Sequence, residues 1–483
     1  MVSHHRYLSM VMAMTLYATG TRVTGTATTT VTERETLRET RRVADRRSSD
    51  LGSKTPYHSQ GAAASYSTPP ESCSAQPIAL NILARHGARH TGHIKDINDL
   101  AAHFASSSSA PGWLENYTYP AVDGLDDGNL VALGAQEHSG LATRLRQAFP
   151  AAFPSSADGP YKYNPATIKL SSTVVPRTGQ SATSFAYAAL ADNNGPLDGG
   201  VFTPPFVNVA SACMDTKLRF HEACPAYTRE VTNNASATSE ATAYLEGDEM
   251  RAAVESLAAR VGLSAAEVTA DQLLTAFEAC AYDIILDGGN QEQWCQLFDD
   301  GAWTAANYAS DLEMWYKFGG GNAINGEMPM MLLRDFFAAF DDAVSANEDS
   351  SASGPPLTAA WRFAHAETVV PFATMLGLYA EQEEMTAATR DDGRYFRSSL
   401  RVTFAANVVA TLYACTSNAS DTPQKYSYKV RFLYNEQEVT IPACADQGQS
   451  AFCDLETVRA AFAAPLDEWE YGEVCDGTCT CEW

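Results

Sequence analysis

The chain lacks a hydrophobic run long enough to cross a bilayer comfortably, which takes about 20 consecutive apolar residues. Its one N-terminal candidate, Tyr7 to Ala18, is shorter and follows a weakly basic start at His4, His5 and Arg6. That arrangement predicts a signal peptide over 1–20, with a signal anchor as the alternative. Stable membrane insertion is not expected. The chain is also poor in cations, with 33 Lys and Arg against 58 Asp and Glu and a net charge of −25. This excludes nucleic acid and anionic membrane as main partners, because both need cationic surface. A small polyanion remains admissible if a pocket is locally basic. No HExxH zinc motif occurs. The triplet Gly319-Gly320-Gly321 has no strand–GxGxxG–helix context, so a dinucleotide site is not indicated. No internal repeat is evident.

Cysteine is abundant, with eleven residues: Cys73, Cys213, Cys224, Cys280, Cys295, Cys415, Cys444, Cys453, Cys475, Cys479 and Cys481. With N-x-[ST] sequons at Asn116, Asn234 and Asn418, this favours disulfides and a secreted or endomembrane-lumenal protein. An odd count leaves one cysteine over. At 483 residues and 45% hydrophobic, the chain predicts two or three domains, or one large domain carrying an insertion.

Residues 21–72 are rich in Thr, Ser, Arg and Glu and read as a disordered linker. From Gln76 the texture changes. Pro77 to Ala84 is an apolar run that suits a buried strand, ending in a His-Gly turn. Val131 to Phe149 has helical periodicity, Ala166 to Ser172 is a second strand candidate, and Ser181 to Leu190 is helical. Residues 201–345 are Ala-rich and amphipathic, a mainly helical domain. After a polar linker near 347–356, Ala359 to Glu381 combines a strand with a helix, and Arg397 to Cys415 and Lys425 to Ile441 add late β candidates. The order predicts an α/β domain in two parts, 73–200 and 346–483, interrupted by a mainly α-helical domain.

The chemistry concentrates in Arg85-His86-Gly87-Ala88-Arg89, directly after the first strand. Two guanidiniums flank one imidazole. Arginine is the side chain best shaped to grip phosphate oxygens by paired hydrogen bonds. Strand ends in open α/β sheets are where ligands bind. Read differently, His86, His90 and His93 at spacings of four and three would share a helix face and bind zinc, although Gly87 and Gly92 oppose a helix there. A non-catalytic binding glycoprotein is a third reading.

The motif RHGARH resembles the RHGxRxP signature of the histidine acid phosphatases. Ser171-Ser172, Arg177 and Ser181-Ala182 look like that family's second arginine motif, and His365-Ala366-Glu367-Thr368 like the HAE form of its acid motif. The HAE form, with LRFHEAC (218–224), WCQLF (294–298), WYKFGGGNAIN (315–325) and VALGAQEH (131–138), resembles the multiple inositol polyphosphate phosphatases. Thr91 stands where the family usually has proline. The resemblance implies a histidine-phosphatase-like α/β fold and a metal-independent, cofactor-free phosphomonoesterase acting on inositol polyphosphates. A broad acid phosphatase is the runner-up. It implies His86 as nucleophile, Glu367 as proton donor, and Arg85, Arg89, Arg177 and His365 as phosphate ligands. Lys95 is added as a candidate for an outer phosphate.

Overall fold

The computed structural model describes residues 49–57, 66–120, 128–153, 163–190, 204–287, 293–348, 357–416, 426–447, 451–468 and 470–477. The predicted signal peptide, the sequon at Asn418 and the cysteines at 479 and 481 lie outside them.

A mixed sheet, eight strands among the described residues, organises the chain. The strands are β1 (Ala79–Arg85), β2 (Ile168–Ser172), β3 (Asn208–Val209), β4 (Ala359–Ala364), β5 (Asn407–Thr416), β6 (Tyr426–Tyr434), β7 (Gln437–Val439) and β8 (Cys453–Asp454). The order is β3-β2-β4-β1-β5-β6-β7, with β8 also on β6. β1, β2 and β4 run parallel, Leu80 opposite Ala359 and Ile168 opposite the same residue. β5 closes on β1 antiparallel. β1 is buried along its whole length, which is why it reads as one apolar run.

Alternation along β1 feeds two cores. Leu80, Ile82 and Ala84 pack with Trp361, Phe363, Leu141, Leu145 and Phe185, so one face is covered by α2 (Ala132–Ala148) and α3 (Pro176–Leu190). Leu83 belongs to the larger core on the other face, which runs without a break into the helical insertion. The longer insertion helices are α4 (Asp248–Val261), α5 (Ala270–Asp287), α6 (Asp300–Phe318) and α7 (Met330–Glu348). The chain then enters β4 and α8 (Ala366–Met375). Between β1 and α2 lies α1 (Ile94–Phe104). No described helix is long and apolar enough to cross a membrane.

Among the described residues four disulfides tie the chain: Cys73–Cys415, Cys224–Cys475, Cys280–Cys295 and Cys444–Cys453. Cys213 is not among them and is half-buried.

One expectation is corrected. Residues 50–57 fall inside the stretch read as disordered, yet they form a packed strap. Leu51 is 1% exposed, the Gly52 N–H donates to Asn307 Oδ1 at 2.8 Å, and Trp303 Nε1 donates to the Asp50 carbonyl at 2.9 Å. Small polar residues suggest solvent, but here the backbone makes the contacts. Gly52 has φ +54°, and a Cβ there would lie 2.5 Å from Ser310 Oγ.

Candidate active site

Because β1, β2 and β4 are parallel neighbours, their C-terminal ends open on one edge of the sheet. The loops that follow are stitched together. The His86 N–H donates to the Ala364 carbonyl at 2.9 Å and the Thr173 N–H to the Phe363 carbonyl at 3.2 Å. The three sequence motifs therefore meet.

His86 is 3% exposed. Its Nδ1 lies 2.9 Å from the Gly87 carbonyl oxygen. A carbonyl only accepts, so Nδ1 carries the proton and Nε2 keeps its lone pair. Burial first, then Arg85, Arg177, Arg89 and His365, hold the imidazole well below its ordinary pKa. The ring is thus neutral at neutral pH.

The loop under His86 is fastened on several sides. Gly87 N–H donates to Ser181 Oγ (3.1 Å), Ala88 N–H to Glu137 Oε2 (2.6 Å), and Ala405 N–H to the His86 carbonyl (3.0 Å). Gly87 lies against Gly134 of α2, where a Cβ on either would collide with backbone: 2.4 Å from the Gly134 carbonyl in one case, 2.1 Å from that of Ala88 in the other. Only glycine permits this approach.

Four guanidiniums gather here. Arg85, 4% exposed, donates through Nη1 to the carbonyls of Ser53 (2.6 Å) and Val402, and its Cζ lies 4.6 Å from the centre of the Phe404 ring. Arg89 Nη1 donates to the His90 carbonyl (2.6 Å) and faces Tyr282 Oη at 3.3 Å. Arg177 Nη2 approaches His365 Nδ1 at 3.5 Å. Arg219 pairs with Glu222. Burial, helped by the neighbouring cations, pulls Arg85 and Arg177 down to about 10, so both remain charged at neutral pH. The Nε–H groups of Arg85, Arg89, Arg177 and Arg219 are buried and have no protein acceptor among the described residues.

Across from His86 stands the start of α8. His365 is its N-cap and Glu367 lies in its first turn. Arg177 only donates, so His365 Nδ1 accepts and Nε2–H points to Thr173 Oγ1 at 3.0 Å. The His365 ring meets that of His86 edge-on at 5.6 Å and that of His221 at 6.1 Å. Burial pushes Glu367 up, but His221, His365, its own backbone N–H and Arg85 outweigh burial and hold it at about 2. The free N–H groups of the helix start favour the carboxylate too.

The arrangement joins a neutral imidazole nitrogen, a guanidinium cluster and a half-buried carboxylate. A sequence model described as histidine phosphatase superfamily (branch 2) matches residues 78–435. The chain belongs to this superfamily. Among its relatives, multiple inositol polyphosphate phosphatase 1 of Gallus gallus is 29% identical over 428 residues, covering 86% of this chain and 88% of that protein. Phytase A of Aspergillus terreus is 22% identical over 406 residues, covering 78% and 79%. Among solved structures, multiple inositol polyphosphate phosphatase of Bifidobacterium longum in complex with inositol hexasulfate shares the fold, with a TM-score of 0.66 at 20% identity, covering 86% and 98%. The phytase from D. castellii gives a TM-score of 0.68 at 17% identity, covering 89% and 88%.

In this histidine phosphatase the structure brings together Arg85, His86, Arg89, Arg177, His365 and Glu367. It does not bring Lys95 to them. Lys95 sits on α1 with its side chain 84% exposed, paired with Asp99 one turn on. The zinc reading fails in its premise, since residues 86–93 form a loop and the three imidazoles share no helix face. Thr91, where proline was expected, is fully buried. Its N–H donates to Tyr119 Oη at 3.2 Å, and its Oγ1 accepts the His93 N–H at 3.0 Å.

Sequence reasoning gave no role to Glu137, Arg219, His221, Tyr282 or the strap. Arg219 and His221 lie inside the LRFHEAC segment and Glu137 inside VALGAQEH, so the signal was present as resemblance without chemistry. The Ser53 contact runs through a backbone carbonyl and leaves no mark in the sequence.

Proposed function

We propose that this histidine phosphatase hydrolyses phosphomonoesters of inositol polyphosphates, inositol hexakisphosphate included, through a phosphohistidine at His86. The observation that carries the proposal is the Nδ1–H bond to Gly87, which leaves Nε2 as the attacking lone pair amid the arginines. Nε2 attacks phosphorus and the P–O bond to the inositol ring breaks. Arg85, Arg89 and Arg177 hold the phosphoryl oxygens and stabilise their charge, while His365, bonded to Arg177 and Thr173, orients the Arg177 guanidinium. Glu367 gives its proton to the leaving alkoxide. Water then attacks the phosphohistidine, Glu367 takes the proton back, the P–N bond breaks and Nε2 regains its lone pair.

Glu367 is ionised in the ligand-free site. A phosphate dianion docking in the arginine cluster cancels the positive field that holds it down and adds like charge beside it. Both effects raise its pKa and let it take up a proton before transfer. The names of the relatives support inositol polyphosphates over the broad acid phosphatase reading, and Arg219 adds a cation beyond the three expected from the motifs. Four disulfides suit a secretory-pathway or extracellular setting. The partner is a small polyanionic ester rather than nucleic acid, given the net charge of −25.

Phosphate release from inositol hexakisphosphate and from an aryl phosphate is to be compared for wild type, His86→Ala and Glu367→Gln. His86→Ala is expected to be inactive on both. Glu367→Gln is expected to lose about 10²–10⁴-fold on the inositol ester, whose alkoxide leaves poorly, and less on the aryl ester. Turnover surviving in His86→Ala would sink the mechanism.

A further inference from the structure

The sequon Asn116-Tyr117-Thr118 sits at the end of a 3-10 helix, Gly112–Asn116. Such a helix has three residues per turn, so side chains three apart eclipse each other. Trp113 and Asn116 therefore rise from the same side. Both line one cleft of about 450 Å³, with Tyr117, Thr118, Asp283 and Gln293. Asn116 and Thr118 are exposed, and Trp113 is half-buried. The indole is fixed from behind, edge-on to the fully buried Trp294 at 5.3 Å and to Tyr117 at 5.8 Å. Trp294 in turn adjoins the Cys280–Cys295 disulfide.

The other described sequon is different. Asn234 is exposed, but its Oδ1 accepts the Ser236 N–H at 3.1 Å and its Nδ2 donates to the Glu230 carbonyl at 3.1 Å. The Asn116 amide makes no such bonds among the described residues, and beside it lies a space lined by aromatic rings with carboxylate and amide groups. Apolar rings that pack on C–H faces, next to groups that accept and donate hydrogen bonds, are the surface a pyranose fits.

We infer that Asn116 carries an N-linked glycan whose first sugar packs into this cleft against Trp113. The inference rests on the secretory reading above and is independent of the catalytic one. In the transfer, Asn116 Nδ2 displaces a polyprenyl diphosphate from C1 of the first N-acetylhexosamine. An N–C bond forms, the C–O bond to the diphosphate breaks, and one Nδ2 proton passes to base. The cleft then covers the sugar, so the glycan acts as a packed part of the fold rather than as a solvated tag.

The full chain is to be produced in a eukaryotic secretory host. Mass spectrometry after amidase removal of glycans should find residue 116 converted to Asp. Trimming with an endoglycosidase that leaves one sugar on asparagine should leave the thermal midpoint unchanged, while removal of that last sugar should lower it by about 2 °C or more. In Trp113→Ala that second drop should vanish. Retention in the cytosol overturns the inference together with the secretory reading. Secretion with Asn116 unmodified overturns the inference alone. An equal midpoint for the one-sugar and sugar-free forms overturns the packed cleft. That comparison needs no mutant.

Discussion

Glu137 fastens the loop of His86 through Ala88, whose N–H it accepts at 2.6 Å through Oε2, while its other oxygen accepts the Tyr57 N–H at 2.7 Å. One buried carboxylate thus locks the N-terminal strap to the RHG turn. Glu137→Gln keeps one acceptor and turns an NH₂ group onto a backbone N–H. A buried donor left unpaired costs about 1–3 kcal/mol. Borne by the loop that aims His86, this should lower kcat about 5- to 150-fold with a smaller change in KM. A variant that loses thermal stability but keeps wild-type kcat would reduce Glu137 to a structural role.

The strap itself should prove indispensable. A chain beginning at Ser49 is expected to keep activity, whereas one beginning at His58 loses the Ser53 carbonyl that accepts from Arg85. It should lose at least about tenfold in kcat, because a charged buried donor then has one partner fewer. Steady-state kinetics on the two chains tests this, and equal rates would refute it.

Gly134→Ala places a methyl 2.1 Å from the Ala88 carbonyl oxygen. The neighbour is backbone and cannot rotate away, so the RHG turn must shift. A displacement near 1 Å costs about a hundredfold in rate. The same substitution at Gly140 of α2 meets only the Arg144 side chain and serves as control.

Acid should weaken the ligand-free protein. The imidazoles of His86, His365, His221 and His138 are all held below their ordinary pKa, mainly by burial, with His138 at about 3. Below pH 6.5 the unfolded chain binds protons that the folded chain refuses, so each of them subtracts stability as pH falls, His138 down to about pH 3. Glu367, held at about 2, adds to the loss below pH 4.5. Glu137 works against it. Burial pushes its pKa up to about 7, and its contribution is present below pH 4.5 and lost as pH rises through 7. The four imidazoles outnumber the carboxyls that burial raises, Glu137, Asp215 and Asp311, so the net is a fall between pH 6.5 and 4.5. Thermal midpoints should drop over that window and recover partly with inorganic phosphate. A flat profile would contradict the burial pattern.

The legible parts of the molecule are those that side chains dictate. β1 and β4 are buried on both faces, and their apolar runs announce them. His86 and Glu367 stand in motifs at the ends of those runs. The illegible parts have identifiable reasons. The strap contributes backbone carbonyls and N–H groups, which every residue owns. Glu137 lies on the buried face of α2, where a carboxylate contradicts the apolar pattern until its two N–H partners are known. β3 has two residues, too few for any period. The disulfide partners lie up to 342 residues apart, and spacing alone cannot choose between pairings.

Arg219, His221 and Tyr282 reach the site from the helical insertion, while His86 and Glu367, the proposed nucleophile and proton donor, follow directly on strands of the sheet. The insertion is therefore not an interchangeable cap that only chooses what enters. Grafting it from one relative onto the sheet of another would replace members of the charge array that sets protonation at Glu367 and His365. Turnover and substrate preference are then bound to change together when this chain evolves or is re-engineered.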